Sequence, residues 1–220
     1  MKKNQIKLLN NINKIPIKEN FVFSALNLAF LAYLGYGTIK ISKNFFLWCD
    51  GILGQFLYKS KKIPGNQFIK YFYKFKYKEI VIIGNYSKYQ IKYFKKKFKS
   101  NVYGIKLPIV NQKNIKRFIP KIKKNSLILI TLPTPKQEML SYEIIKKNKY
   151  YKIICIGGGL SITTGEIKKC PKILSKLGLE FAWRLRTDTF RRLKRLFFTF
   201  SIYLYFTINK KLKRFKIIKI

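Results

Sequence analysis

Between residues 79 and 158 four short apolar runs, 79-EIVIIG-84, 101-NVYGI-105, 126-SLILITL-132 and 151-YKIICIGG-158, alternate with lysine-rich segments. In the first of these segments, 87-SKYQIKYFKKKFK-99, Ile91, Phe94 and Phe98 fall on one helical face. A strand that is apolar throughout must be covered on both faces, and strands alternating with helices join as right-handed crossovers. The pattern predicts an α/β chain with a Rossmann-like parallel sheet, helices on both faces, and a ligand beyond the C-terminal ends of the strands. Two further helices are expected over 111–124, broken near Pro120, and over 136–148.

Upstream, 21-FVFSALNLAFLAYLGYG-37 is 17 residues long and borderline for a membrane span. Ser24 and Asn27 interrupt it and Gly35 and Gly37 close it, which favours a strand near 20–26 and a helix to about 37. A second strand, 43-KNFFLWC-49, ends at Asp50, where another helix begins. The start, 1–20, is basic and polar for too long to read as a secretory signal. A length of 220 residues suits one main fold. Residues 1–170 are expected to form the α/β core, and residues 171–220 a helical, arginine-rich C-terminal appendage that associates with a membrane.

The chemistry available is narrow. Without histidine, no imidazole can serve as base, nucleophile partner or metal ligand. Eight carboxylates and no Asp-x-Asp pair argue against metal-held nucleotide binding, so neither a metal nor another cofactor is expected. Cys49, Cys155 and Cys170 lack zinc spacing and read as free thiols in a reducing compartment. No P-loop occurs, and 157-GGGLSITTG-165 does not fit the dinucleotide fingerprint.

A net charge of +40 points to phosphate-rich partners, nucleic acid or an anionic membrane surface. Lys, Ile, Asn, Tyr and Phe are abundant together, however, the signature of A- and T-rich codons, so much of the lysine is a solvated surface. Arginine is then informative: five of the 7 in the chain, Arg184, Arg186, Arg191, Arg192 and Arg195, fall within twelve residues. Arg184, Asp188, Arg191 and Arg195 are spaced for one side of a helix. A salt-bridged surface helix is one reading; the other is a phosphate or diphosphate ligand held by guanidinium forks. The apolar 196-LFFTFSIYLYFTI-208 that follows suits either insertion into a membrane interface or packing on the sheet. Asp50 likewise has two roles open, N-cap of the next helix or general base at the ligand-facing edge.

Four segments taken in order, 50-DGI-52, 64-PGNQF-68, 135-PKQE-138 and 178-GLEFAWRL-185, resemble the WecG/TagA/CpsF glycosyltransferase family over about residues 20–197. The resemblance implies an inverting transferase that moves an N-acetylmannosamine-type sugar from a UDP donor to a polyprenyl-diphosphate-linked N-acetylglucosamine. The product is a precursor of a surface polysaccharide. It implies Asp50 as the catalytic base, with Asn27, Lys62 and Gln137 lining the substrate pocket and Arg184, Arg191, Arg192 and Arg195 meeting the diphosphate. The implied partners are the UDP-sugar donor, the lipid-linked acceptor and an anionic membrane surface; a homo-oligomer is left open. The implied location is peripheral, on the cytoplasmic face of a membrane, or on the stromal side if the gene is plastid-encoded. Ala25, where the family usually has threonine, and Lys62, where it commonly has arginine, depart from the pattern. The rival reading is a basic nucleic-acid-binding protein whose 15 Tyr and 19 Phe include base-stacking residues, which leaves PKQE and GLEFAWRL unexplained.

Overall fold

The computed structural model describes residues 4–16, 20–107, 114–147, 150–177, 179–186, 189–209 and 215–220. Strands β1 (Asn4–Leu9), β2 (Phe21–Leu26), β3 (Phe45–Cys49), β4 (Glu79–Ile83), β5 (Asn101–Ile105), β6 (Leu127–Ile130), β7 (Lys152–Cys155) and β8 (Phe215–Lys219) form one sheet. All neighbours pair in parallel, in the order β5-β4-β6-β7-β2-β3-β1-β8. The Rossmann-like α/β expectation holds.

Side chains of successive residues leave a strand on opposite faces, so each central strand feeds two cores. Val81, Ile83, Ile128 and Ile130 join the core under α1 (Leu28–Gly35) and α5 (Lys136–Lys147). Ile80, Ile82, Leu127 and Leu129 join the other, under α3 (Gly65–Tyr71), α4 (Lys88–Phe98) and α6 (Gly159–Thr164). That double coverage is why β2, β3, β4 and β6 are buried at every position. On the second face Phe68 of α3 stacks on Trp48 of β3, ring centroids 4.3 Å apart and planes 8° from parallel. Helix α4 opens with the capping box that Ser87 and Gln90 encode.

At the opposite end of the sheet from the strand C-termini, Glu79 is buried and accepts from Ser126 Oγ at 3.0 Å, Tyr103 Oη at 3.1 Å and the Lys123 backbone N–H at 3.3 Å. Burial pushes its pKa up, but these bonds and the Lys123 ammonium outweigh that, and the net shift is downward.

One expectation is corrected, and two further strands join the sheet. The helix over 111–124 is, in its described part, a single 3-10 turn at Ile115–Arg117. Pro120 has no N–H to continue a helix and forces Ile119 out of the helical region, while Phe118, Ile119 and Ile122 pack on the core from an irregular path. The polar start contains β1, whose Ile6 and Leu8 face one core and Leu9 the other. The basic end contains β8, which pairs with β1 from Asn4↔Phe215 to Leu8↔Lys219, so the segment after Pro171 returns to the sheet rather than standing wholly apart.

That segment also holds α7 (Lys172–Lys176), α8 (Glu180–Leu185) and α9 (Thr189–Ile208). The arginines therefore do not share one helix: the chain leaves α8 after Leu185 and re-enters a helix at Thr189, whose hydroxyl bonds the Leu185 carbonyl at 2.7 Å. Asp188 lies outside the described residues. Among the described residues no helix is long and apolar enough to cross a membrane.

Candidate active site

Strands β6, β7, β2 and β3 are consecutive neighbours at the middle of the sheet, and the polar groups singled out in the sequence gather where these four end. The register pairs Leu26 with Cys49, so Asn27 and Asp50 are the next residues out, side by side on adjacent strands. Asn27 caps α1, its Oδ1 accepting from the Phe30 N–H at 3.0 Å. Asp50 does not cap the helix that follows it, α2 (Ile52–Tyr58), whose N-cap is Gly51 without a side-chain bond. Its Oδ1 instead accepts from the Gly65 N–H at 2.7 Å, while Ile63 N–H bonds the Cys49 carbonyl at 2.7 Å. The 64-PGNQF-68 segment is thus folded over the end of β3 and fixes the carboxylate's orientation.

Beside it, burial and then the Asp50 charge push the Cys49 thiol up to about 11, too high for a thiolate nucleophile at neutral pH.

After β6 the 135-PKQE-138 turn starts α5 and buries both of its last two side chains. Glu138 is fully enclosed, and three donors converge on its Oε1: Ser24 Oγ at 2.7 Å, Gln137 Nε2 at 2.8 Å and Thr134 Oγ1 at 3.2 Å. Gln137 Nε2 also donates to Thr134 Oγ1 at 3.2 Å. Burial pushes the Glu138 carboxyl above its usual range, with the bonds from Ser24, Gln137 and Thr134 opposing. Gln137 Oε1 and Glu138 Oε2 are buried without a hydrogen-bond partner. Beside them Gly157 follows β7 with φ +52, and a Cβ there would stand 3.6 Å from Gln137 Oε1.

The C-terminal helices are docked around this edge. Lys62, just before the Pro64–Gly65 turn, pairs with Glu180 of α8 at 2.6 Å and donates to Ser175 Oγ at 3.3 Å. Arg195 of α9 brings Nη2 within 3.5 Å of the Thr134 carbonyl, one turn from Gln137. Further along α9, Phe206 is buried against Gly35 of α1. Arg184 lies on α8, and Arg191 and Arg192 lie on α9; their side chains are outside what is described. In the apolar 196–208 stretch Thr199 and Phe206 are buried, Phe206 against α1, while Phe197, Phe198, Phe200, Leu204, Tyr205 and Ile208 are exposed.

Asp50, Asn27, Gln137 and Arg195 thus end at one sheet edge, and Lys62 is engaged by the helix that covers it. Sequence reasoning passed over two partners, Glu138 behind Gln137 and Glu180 opposite Lys62. Glu138 stood inside the PKQE segment, where an acidic residue in a helix's first turn reads as a surface charge meeting the dipole; only the fold shows it buried.

A parallel α/β sheet with a carboxylate and amides at its central C-terminal edge, and a basic helix laid beside them, has the Rossmann-like form in which ligands bind beyond the strand ends. The chain belongs to the WecG/TagA/CpsF family of glycosyl transferases, whose sequence model matches residues 60–217. It is a glycosyltransferase of polysaccharide synthesis, acting on a sugar donor and an acceptor.

Proposed function

We propose that the chain is an inverting transferase that moves an N-acetylmannosamine-type sugar from UDP to a polyprenyl-diphosphate-linked N-acetylglucosamine at a membrane surface. The observation that carries this is the Asp50 carboxylate, pinned by the Gly65 N–H beside Asn27 at the sheet's central edge. Asp50 takes the proton of the acceptor hydroxyl as its oxygen attacks the anomeric carbon from the face opposite UDP. The bond from that carbon to the diphosphate oxygen breaks, and its electron pair leaves with UDP. Charge grows on the diphosphate as it departs, and preorganised donors that meet it act on the transition state. Arg184, Arg191, Arg192 and Arg195 are the groups assigned to that role, without a metal. Arg195 supports the assignment by lying at the Thr134 carbonyl beside Gln137.

The exposed phenyl and aliphatic groups of α9, in a chain of net charge +40, fit a lipid interface next to the same edge. A lipid-linked acceptor would then reach the site without leaving the bilayer.

The test is acceptor-dependent UDP release from a panel of UDP-N-acetylhexosamines, with a lipid-diphosphate N-acetylglucosamine acceptor in detergent. Loss of a general base costs about 10²–10⁴-fold, and Asp50→Asn is expected to fall in that range. Release that is undiminished in Asp50→Asn would overturn the role of Asp50.

A further inference from the structure

The Gln137 side chain is turned by its neighbours in one direction only. Both hydrogens of its amide nitrogen are used, one on Glu138 Oε1 at 2.8 Å and one on Thr134 Oγ1 at 3.2 Å. The Thr134 hydroxyl in turn gives its own proton to Glu138 Oε1 at 3.2 Å. Rotating the amide by half a turn would set Gln137 Oε1 against Glu138 Oε1, two acceptors at hydrogen-bond distance. The amide orientation is therefore dictated by the network. What remains is Oε1, buried and without a partner, in a residue 4% exposed. On its far side Gly157 carries no side chain, and a Cβ at that position would come to 3.6 Å. A buried acceptor left unsatisfied has lost its water without gaining a donor, so the free protein keeps this one at a cost that a ligand can relieve.

We infer that Glu138 is a positioning residue that clamps the Gln137 amide by its nitrogen, so that the Oε1 facing Gly157 reads a hydrogen-bond donor of the ligand. The inference rests on the nucleotide-sugar reading above. It assigns Gln137 to an N–H or O–H group and not to the diphosphate, whose oxygens are acceptors at neutral pH. A UDP-sugar carries such groups on its base, its ribose and its transferred sugar; the group assigned to Gln137 is the imide N–H of the base or the hydroxyl or acetamido N–H of the transferred sugar, the two parts that tell one nucleotide sugar from another. Ser24 at the base of the clamp, bonded to Glu138 Oε1 at 2.7 Å, holds the carboxyl from β2. The clamp thus ties β2 to the start of α5.

Equilibrium binding of UDP, N3-methyl-UDP and UDP-N-acetylmannosamine to the full chain tests this, with Gln137→Met, Glu138→Ala and Glu138→Gln as variants and thermal melts as the folding control. If the imide is read, N3-methylation weakens UDP binding to the parent chain by about ten-fold, and Gln137→Met and Glu138→Ala erase the difference. If the sugar is read, UDP and N3-methyl-UDP bind alike, and the same two variants lose about ten-fold of the UDP-sugar's advantage over UDP. Either way Glu138→Gln, whose carbonyl can take the three donors, restores the discrimination that Glu138→Ala loses. A folded Gln137→Met that weakens all three probes equally, or none of them, overturns the inference. Should Glu138→Ala fail to fold, the Gln137→Met comparison decides alone. Failure of the parent chain to bind any of the three probes would instead overturn the nucleotide-sugar reading, and the inference with it.

Discussion

The Asp50 carboxylate receives the backbone N–H of Gly65 at 2.7 Å, a bond that joins the end of β3 to the first residue of α3. An asparagine at 50 keeps an oxygen acceptor of the same shape. Asp50→Asn is therefore expected to shift stability by less than about 1 kcal/mol, a few degrees in melting temperature, while it lowers transfer by about 10²–10⁴-fold. Thermal denaturation followed by circular dichroism, run on the same preparations as the transfer assay, separates the two effects.

Phe68 is fully buried, and its ring meets those of Trp48, Phe23 and Phe72. Phe68→Ala removes the stacked partner of Trp48 and opens a cavity under the turn that holds Asp50. A loss of about 3–5 kcal/mol is expected in denaturant titration, monitored by Trp48 fluorescence.

The two buried glutamates should respond to pH in opposite senses. The Glu138 carboxyl titrates above its ordinary 4.5 in the folded chain, so its stabilising contribution is complete below that value and is lost as pH rises through the folded one. Glu138→Gln is expected to flatten the decline in stability upward from pH 4.5. The Glu79 carboxyl titrates below 4.5, so its contribution is present above that value and is lost as pH falls through the folded one. Glu79→Gln should flatten only the acid limb. Melting temperatures of both variants against the parent chain, between about pH 3 and 8, check the pair.

Helix α9 lies on α1 where Gly35 leaves room: a Cβ at 35 would already stand 3.0 Å from the Phe206 ring. Gly35→Val has no space for its branches and should lift the C-terminal half of α9 from α1. Faster proteolysis within 189–209, with the rest of the chain protected, is the expected result; cleavage at the parent rate would count against the docking.

The central βα units could be read from the sequence because each carries its own signal: β4 with α4 and β6 with α5 pair an apolar run buried on both faces with a helix of the right period. Asp50 stands out in the sequence because it ends such a run, whereas Asn27 is marked as a site residue only by the family resemblance. The outer strands carry no such signal. In β1 and β8 apolar residues are interspersed with Lys and Asn, and their pairing joins the two ends of the chain. No local window contains that contact, and neither strand has a continuous apolar run to announce it. The 3-10 turn at Ile115–Arg117 was misread for the opposite reason, a helical spacing that Pro120 does not allow to become a helix.

By itself the sequence determined the fold class, the level of Asp50 and Asn27 at the strand ends, and the concentration of guanidinium near the C-terminus. These depend on neighbours in the chain, where period and residue type suffice. Only the tertiary structure decided that Glu138 is a buried clamp rather than a surface charge, that Lys62 is held by Glu180, and that the basic C-terminal strand closes the sheet beside β1. Each of those depends on groups more than 100 positions apart, such as Ser24 with Glu138 or Asn4 with Phe215, whose meeting is set by strand order and packing. Burial and partnership are properties of that packing, and a residue's identity alone does not contain them.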